Sequence, residues 1–575
     1  MMSVSNILEM IGDRNYVSFD IYDTLVIRPY VLPTDLFRHL ELISGRDGFA
    51  KSRIVSEKNA RRKHHREVTL DEIYEEIDPH YCHLRTMEEE MEISLPLLNN
   101  NILALFKELT GLGKKIILTS DMYLPRSVIE AMLNRCGFFT YERLYISSET
   151  LKTKHTGELY RYILDDLQIK PQDLFHIGDN KHSDHDVPKS IGIRSYHIRR
   201  PIDEYAIGHK DEYRFYRRKK SLERSILLSL DMITGQTDDD WFDIGKRYGG
   251  PLATSFSMFI NKESGDDSLF LYASRDGYNL KRVSEELYPN KRTEYVFTQR
   301  LILDVLTDSR LPYGKVELPS KLTDRYAYEK TSVAMRRILN FFKNDLRKDI
   351  PTDIHEMSAF YNSNANRLDE LRKTRLDEYI KYLNDKCQSS DIHLIDCTTM
   401  RFSSQRLLES AIGKKVKGHY LVTLSDDNSV CYDSMCNWYL PVIGWVNIDI
   451  PEFFLCSPEY PLSGWDNGPI FDESDSDDGI RVAIYDSVSD GELEYARTYR
   501  SIFGRYMIPF DYWSVVKWSK ISTVSGREYR KKMDTIRWAS DPDHSHYLPL
   551  VTGSANVKQI LKKMVISAID KINHE

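Results

Sequence analysis

The sequence predicts an α/β fold in which parallel strands alternate with helices. Three short apolar runs indicate this fold, and polar residues follow each of them: the first run leads into Asp20, the second into Asp121 and the third into Asp179. Helical periodicity then follows, as expected for strand–helix units. Because open α/β sheets bind ligands at the carboxyl ends of their strands, these polar residues are candidate site residues.

Composition limits the class of protein. The chain has 575 residues, which is too long for one core, and its hydrophobic fraction of 41% and charged fraction of 29% are typical of globular proteins. The formal net charge of -8 argues against general nucleic-acid binding. The seven cysteines have no metal-ligand spacing, and neither a signal-peptide layout nor a bilayer-length apolar run is present. We therefore expect a cytoplasmic protein without a membrane span.

The first strand and the helical stretch after it set the pattern of the N-terminal third. Burial of Val17, Phe19 and Ile21 in a parallel sheet would place Asp20 at the carboxyl end of this strand. Asp20 is therefore a candidate nucleophile that accepts a phosphoryl group. Helical patterns then dominate residues 30–110, and the sequence from Thr69 to Glu72 fits a capping box that opens a helix near residues 71–77.

Strand–helix alternation returns after residue 110. Residues 115–121 form a predicted strand that ends in Ser120 and Asp121, and a strand over residues 144–147 follows the next helix. Lys154 stands just before an amphipathic helix at residues 158–167. The strand over residues 174–178 leads into a loop that carries Asp179 and Asp184. A hydroxyl, a lysine and paired acids thus follow Asp20 in a fixed order.

This order resembles the haloacid dehalogenase (HAD) superfamily over about residues 10–205. FDIYDT matches its first motif, LTSD the second, TKHTGE the third and IGDNKHSD the fourth, and the helical insert matches a helical cap. The resemblance implies a Rossmann-like parallel sheet and an aspartyl-phosphate mechanism that depends on Mg²⁺. It assigns catalysis to Asp20, Asp23, Thr24, Ser120 and Lys154, phosphate binding to Ser120, Asp121 and Lys154, and metal binding to Asp20, Tyr22 (through its backbone), Asp179 and Asp184.

One position departs from the family pattern. Family phosphatases carry a second aspartate two residues after the nucleophile, where this chain has Tyr22, and Asp23 comes one residue later. Three interpretations follow: Asp23 reaches the leaving group, the leaving group needs no acid, or the substrate is not a phosphate. Family dehalogenases carry tyrosine here but need no Mg²⁺, so the presence of Asp179 and Asp184 favours phosphoryl chemistry.

The remaining two-thirds predicts a linker helix and loop over residues 206–240 and a larger α/β region over residues 241–575. Two of its predicted strands end in SRDG and DCTTMRFSS, where Arg275 and Arg401 are candidate phosphate ligands. Helix caps explain the same residues without a ligand. This region resembles the C-terminal part of HAD-fused proteins of bacterial surface-polysaccharide biosynthesis.

We therefore expect residues 1–205 to form a Mg²⁺-dependent phosphatase or phosphotransferase for a small phosphorylated metabolite such as a sugar phosphate. Association with polysaccharide-biosynthesis enzymes is the expected context. Two alternatives stay open: a catalytically impaired HAD-like binding or assembly protein, and a bifunctional enzyme with a transferase in its C-terminal half. Fold alone does not choose between them.

Overall fold

A computed structural model describes residues 4–262, 265, 267–298, 300–306, 313–322, 324–399, 401–437, 449–473, 476–524, 528–538 and 547–551. The chain divides into two compact units. The first comprises the described residues up to Gly235 together with Ser501–Met507, and the second comprises the other described residues from Gln236 onward. Each unit contains a five-stranded parallel sheet, which confirms the predicted α/β fold class.

The first unit is built on a sheet with the order β5-β4-β1-β6-β7. Its pairings are all parallel, so the carboxyl ends of its strands lie along one edge. Because β1 is the central strand, Asp20 at its end lies in the middle of that edge. The strands of this unit are β1 Tyr16–Asp20, β2 Val26–Ile27, β3 Leu97–Leu98, β4 Lys115–Ser120, β5 Arg143–Ile146, β6 Leu174–Gly178 and β7 Arg194–His197.

Thirteen helices of this unit are described, and several match the predicted bounds closely. The predicted capping box is confirmed, since the Thr69 hydroxyl accepts from the Glu72 N–H and the Glu72 carboxylate accepts from the Thr69 N–H. The helices are α1 Val4–Ile11, α2 Asp35–Ser44, α3 Phe49–His64, α4 Leu70–Glu75, α5 Arg85–Ser94, α6 Asn100–Gly111, α7 Arg126–Arg135, α8 Ser147–Thr150, α9 Glu158–Leu167, α10 Val187–Ser190, α11 Pro201–Gly208, α12 Lys210–Lys219 and α13 Leu222–Thr234.

The helical insert lies between β2 and β3, which pair as an antiparallel ribbon. Helices α2–α5 therefore form a cap. The chain enters the cap through β2 and returns from it through β3. The sequence placed the cap at residues 30–110, whereas α6 follows β3 and contacts β4 and α1. The ribbon returns the chain to the sheet before α6 begins, so α6 is a layer of the sheet rather than part of the cap.

A buried ion pair organises the interior of the cap. Arg53 on α3 donates to the carboxylate of Glu88 on α5, with an Nη2–Oε1 distance of 2.9 Å, and neither side chain is exposed. The Tyr74 hydroxyl donates to the same carboxylate at 2.8 Å. The guanidinium also lies 4.6 Å from the ring centroid of Phe37. One charge pair thus connects four of the cap helices.

The first unit extends past residue 205 because the next helices pack onto it. The Ser225 hydroxyl on α13 donates to the Asp35 carboxylate at 2.6 Å and accepts from the Val31 N–H at 2.8 Å. The region predicted as one linker helix is two, because Lys220 adopts a left-handed conformation and Ser221 caps α13. His39 donates from Nε2 to the carbonyl of Tyr506, which connects residues 501–507 to this unit.

The second unit has a parallel sheet with the order β12-β11-β10-β8-β9. An apolar core lies between β8, β10 and the helices that follow residue 300, with Leu271, Leu394, Leu339 and Leu383 among its buried residues. The strands are β8 Leu269–Ala273, β9 Arg292–Val296, β10 Ile392–Thr399, β11 Lys417–Thr423, β12 Tyr432–Asn437, β13 Leu462–Trp465, β14 Pro469–Phe471, β15 Arg537–Trp538 and β16 Leu548–Pro549. The last four strands form two antiparallel pairs.

The helices of the second unit include one of 33 residues, α20. Within the described parts of the chain, no helix has the length and apolar character needed to cross a membrane. The helices are α14 Asp240–Ile244, α15 Gly250–Ile260, α16 Gly277–Leu287, α17 Arg300–Leu306, α18 Arg325–Phe341, α19 Lys343–Leu346, α20 Ile354–Lys386, α21 Ser403–Ile412, α22 Asp449–Leu455, α23 Gly479–Phe503, α24 Tyr512–Ser519 and α25 Glu528–Met533.

The buried pair of Arg53 and Glu88 gives a stability prediction. Glu88→Gln removes the fully buried counter-charge of the guanidinium and leaves only the partly exposed Glu57, 3.3 Å away, so the free energy of unfolding should fall by about 3 kcal/mol. Arg53→Met combined with Glu88→Leu should cost less, because both charges are removed together. Denaturant unfolding measures both values. The control is Glu204→Gln, whose exposed pair with Arg199 should contribute less than about 1 kcal/mol; an equal loss in the control would contradict the account.

Candidate active site of the first unit

The candidate site lies where the carboxyl ends of β1, β4 and β6 meet. Asp20 pairs with Thr119 on β4, so Ser120 stands one residue further along the neighbouring strand. On the other side, Phe19 pairs with Ile177, which places Gly178 beside Asp20 and Asp179 just beyond it. The structure therefore brings the predicted nucleophile, hydroxyl and acidic loop to one point of the sheet.

Lys154 bridges two of the predicted carboxylates. Its Nζ donates to Asp20 Oδ1 at 2.5 Å and to Asp184 Oδ1 at 2.7 Å. The side chain is only 3% exposed, so both ion pairs lie in a desolvated environment where their attraction is strong. One buried ammonium thus holds the ends of β1 and the loop after β6 together.

Asp121 positions the loop that carries Lys154. Its two carboxylate oxygens accept from the backbone N–H groups of Lys154 at 2.7 Å and His155 at 3.1 Å. The sequence assigned Asp121 to phosphate binding, and that contact stays a prediction. In the structure both Asp121 carboxylate oxygens accept hydrogen bonds from the backbone of this loop. These bonds fix the position of Lys154.

Asp184 folds back over the end of β6. It belongs to a π-helical turn, Lys181–Asp186, and its Oδ2 accepts from the Asn180 N–H at 2.9 Å. A Cβ atom on Gly178 would lie 2.4 Å from the Asp184 carboxyl carbon, so this position requires glycine. Burial alone would raise the pKa of Asp184, but Lys154 and His176 hold that pKa well below its usual range.

A buried chain of polar groups behind Asp184 was missed from the sequence. His176 Nε2 lies 3.1 Å from Asp184 Oδ1, and His176 Nδ1 lies 3.0 Å from the Ser18 hydroxyl. Burial lowers the pKa of His176, which favours the neutral ring, so Nε2–H donates to the carboxylate and Nδ1 accepts from Ser18. The signal in the sequence was a histidine inside an otherwise apolar strand.

Three carboxylates at this edge could hold a metal ion. Asp20, Asp179 and Asp184 each offer one oxygen, and these oxygens lie within 4.8 Å of one another. Among the described residues, the Asp179 carboxylate has no hydrogen-bond donor. Burial, reinforced by Asp20, Asp23 and Asp184, raises its pKa to about 8, while burial raises the pKa of Asp20 to about 7 despite Lys154. This all-oxygen donor set, with one lysine to balance three acids, fits a hard divalent cation.

Asp23 lies in a tight turn that follows β1. Asp23 has a φ of 57°, and its N–H donates to the Val26 carbonyl at 2.7 Å. This left-handed residue ends the strand alternation, and the Asp23 carboxylate interacts electrostatically with Asp179. Burial raises the pKa of Asp23, although Arg28 and Arg200 oppose the rise.

Tyr22, which occupies the position where family phosphatases carry the acid, is used in packing. Its ring lies 3.7 Å from the Arg28 guanidinium carbon, and Arg28 pairs with the buried Glu92 at 3.2 Å. Thr24 is fully buried, and its side-chain hydroxyl has no hydrogen-bond partner among the described residues, while its carbonyl accepts from Asn99 at 2.8 Å. The assignments of Thr24 to catalysis and of the Tyr22 backbone to metal binding stay predictions.

Two arginines of the second unit, Arg275 and Arg401, were predicted to bind phosphate. Among the described residues, the structure does not place either of them in a cluster of phosphate-binding donors. Arg275 follows β8 and is buried, with Nη1 3.5 Å from Asp478 Oδ2. Arg401 follows β10 and is exposed. Among the residues that the structure describes, no contact joins Arg275 to Arg401. Their assignment as phosphate ligands stays a prediction.

Comparison with known proteins gives fold neighbours over about a third of the chain, at its N-terminal end. No protein-family model matches the sequence, and no curated protein sequence does either. Among solved structures, a HAD-family enzyme from Bacteroides thetaiotaomicron, in complex with magnesium and inorganic phosphate, is similar at 15% identity. The match covers 32% of this chain and 95% of that enzyme, with a TM-score of 0.24.

Haloacid dehalogenases are also among the matching structures. The L-2-haloacid dehalogenase of Xanthobacter autotrophicus is 13% identical, over 32% of this chain and 77% of its own, with a TM-score of 0.26. A defluorinating L-2-haloacid dehalogenase is 16% identical, over 33% of this chain and 83% of its own, with a TM-score of 0.27.

The raised pKa values of Asp20 and Asp179 predict that cation binding depends on pH. Both carboxylates must be ionised to bind a cation, and protons compete for them until the pH passes about 8. The affinity for Mg²⁺ should therefore rise at least about tenfold between about pH 6 and pH 8, with release of protons. Calorimetry in buffers of different ionisation enthalpy measures both quantities, and an affinity that stays constant over this range would contradict the assignment.

Proposed function

We propose that the first unit is a HAD-type hydrolase or phosphotransferase that forms an aspartyl-phosphate on Asp20. One observation supports this most strongly: the Lys154 ammonium lies between Asp20 and Asp184, at 2.5 Å and 2.7 Å, beside the carboxylate of Asp179. A nucleophile, a fixed cation and a candidate metal site thus share one sheet edge. These are the groups that transfer of a dianionic phosphoryl group requires.

Asp20 acts as the nucleophile in this proposal. Lys154 engages Oδ1, and among the described residues no side chain donates to Oδ2, which is therefore the oxygen assigned to attack. Oδ2 forms a bond to phosphorus while the bond from phosphorus to the leaving oxygen breaks. Water then attacks the same phosphorus, breaks its bond to Oδ2, and releases phosphate and the free Asp20 carboxylate.

Asp23 is the group that we assign to proton transfer. Its carboxylate acts electrostatically on Asp179, and burial raises its pKa, which favours the protonated form that an acid needs. It would protonate the leaving oxygen in the first step and accept a proton from water in the second. This proposal favours the first of the three interpretations of the Tyr22 position.

Asp20, Asp179 and Asp184 would hold Mg²⁺, with Asp184 direct or through water. The metal when bound supplies charge neutralisation for the phosphoryl oxygens. Lys154 keeps the nucleophile in place and offsets charge, and Ser120, buried at the end of β4, is assigned to hold the transferred group.

The proposed substrate is a small phosphorylated metabolite such as a sugar phosphate, and a role in surface-polysaccharide biosynthesis belongs to the same proposal. The carboxylate cluster argues against a metal-free dehalogenase, because that reaction has no use for three adjacent acids. A binding protein without turnover is the remaining alternative.

Asp20→Asn should abolish Mg²⁺-dependent phosphate release, because the amide is not a nucleophile. The measurement is a panel of sugar phosphates, nucleotides and an aryl phosphate with full-length protein, with a 2-haloacid as the test for dehalogenation. Asp165→Asn is the matched control, since Asp165 is exposed on α9, and it should keep the wild-type rate.

Each outcome of this panel decides between the candidates. Phosphate release that needs both Mg²⁺ and Asp20 supports the proposal. Release of halide from the 2-haloacid would identify a dehalogenase, and no turnover with any compound would favour the binding protein. Metal-dependent phosphate release by Asp20→Asn would contradict the assignment of the nucleophile.

Asp23→Asn tests the assignment of the acid. We expect kcat for a sugar phosphate, which has a poor leaving group, to fall about 10²–10⁴-fold. For an aryl phosphate, whose leaving group needs little protonation, the loss should be much smaller. Equal losses for the two substrates would contradict a role in proton transfer, and circular dichroism with thermal unfolding checks that the variant folds.

A further inference from the structure

The second unit has a topology that creates a ligand crevice of its own. In chain order its strands read 2-1-3-4-5 across the sheet, and all neighbours are parallel. The connections from β8 and β10 leave in opposite directions, so the switch point of the sheet lies between these two strands. In open α/β sheets, ligands bind outside the carboxyl ends of the strands at such a point.

Three potential metal ligands converge on this switch point. Asp276 lies in the turn after β8, Cys397 lies near the end of β10, and Glu452 lies on α22. The Cys397 sulfur and one carboxylate oxygen from each acid lie within 4.8 Å of one another. Asp396 and Asp449 add negative charge that acts on Glu452.

A role in capping the following helix does not explain Asp276. It occupies the N-cap position of α16, but its side chain makes no capping hydrogen bond. Cys397 is fully buried, and its sulfur accepts a weak hydrogen bond from the Thr398 hydroxyl at 3.6 Å. Asp276 therefore lacks the capping role that the sequence suggested for this loop.

Buried polar atoms without partners surround the same three residues. Tyr512 is 3% exposed, it is electrostatically coupled to the thiols of Cys436 and Cys397, and its hydroxyl has no hydrogen-bond partner among the described residues. The Arg275 side chain is 9% exposed and lies beside Asp276, and its Nη1 makes no hydrogen bond apart from the 3.5 Å ion pair with Asp478. Buried polar groups are almost always satisfied in folded proteins, so the Tyr512 hydroxyl and the Arg275 Nη1 are donors that a bound group could engage.

We propose that the second unit binds a divalent transition-metal ion of the Zn²⁺ class through Asp276, Cys397 and Glu452. A thiolate together with carboxylates suits Zn²⁺ better than Mg²⁺, which prefers oxygen ligands alone. Three protein ligands leave a fourth position for water or an anionic ligand. The Tyr512 hydroxyl and the Arg275 Nη1 are the nearby donors for a group bound at that position.

Cobalt spectroscopy on the full-length protein tests this site separately from the first unit. Co²⁺ replaces Zn²⁺ and gives a thiolate-to-metal charge-transfer band only where a cysteine is a ligand. The cluster of Asp20, Asp179 and Asp184 contains no sulfur, so it cannot produce this band. We expect the band to appear at one equivalent of Co²⁺ in chelator-treated protein and to vanish when Zn²⁺ is added.

Cys397→Ala should abolish the charge-transfer band, whereas Cys387→Ala should keep it. Both thiols are buried and belong to the second unit, so the structural cost of the two substitutions is matched. No band in the wild-type protein, or a band that persists in Cys397→Ala, would overturn the proposal.

Two further variants cover the case in which Cys397→Ala does not fold. Asp276→Asn and Glu452→Gln keep the size of each side chain, and each should weaken Zn²⁺ binding at least about tenfold, measured by competition with a chromophoric chelator. Unchanged Zn²⁺ affinity in both variants would overturn the assignment. The result is independent of the activity of the first unit, since Asp20→Asn should leave the band unaltered.

Discussion

The candidate site depends on one buried interaction, the bridge that Lys154 makes between Asp20 and Asp184. Burying three carboxylates at one strand edge is unfavourable unless positive charge accompanies them. Lys154 supplies part of that charge, and the remaining excess of negative charge is what fits a divalent cation. Burial raises the pKa values of Asp20 and Asp179, whereas at Asp184 the attraction of Lys154 and His176 outweighs burial and keeps the pKa low.

The surrounding structure keeps this arrangement in place. Asp121 fixes the loop of Lys154 through two backbone N–H groups, and Gly178 leaves the space that the Asp184 carboxylate occupies. His176 orients Asp184 from behind, with Ser18 holding its other nitrogen. The precision of the site therefore comes from residues that would not touch a substrate.

The sequence was sufficient for features that depend on local pattern. Apolar periodicity located β1, β4 and β6, and the polar residues that follow these strands led to Asp20 and Asp179, because parallel strands bring their carboxyl ends to one edge. The capping box of Thr69 and Glu72 could also be predicted, because its two partners lie within four residues of sequence. These inferences need no knowledge of which distant segments meet.

Features that depend on distant contacts or unusual backbone could not be read in the same way. The left-handed turn at Asp23 overrides strand alternation, and the Arg53–Glu88 pair joins residues 35 positions apart. Residues 501–507 belong to the first unit, although residues 236–500 of the second unit lie between them and the rest of it in sequence. The cluster of Asp276, Cys397 and Glu452 likewise required the strand order of the second sheet, which periodicity does not give.

The central claim, that Asp20 carries the phosphoryl group, is tested most directly by identifying the phosphorylated residue during turnover. Full-length protein would be mixed with Mg²⁺ and a substrate that it turns over, quenched in acid within the first turnover, digested and analysed by mass spectrometry. The account predicts a phosphoryl group on Asp20, in a peptide that stays unmodified in Asp20→Asn. A phosphoryl group on another residue, or on the same peptide of Asp20→Asn, would contradict it.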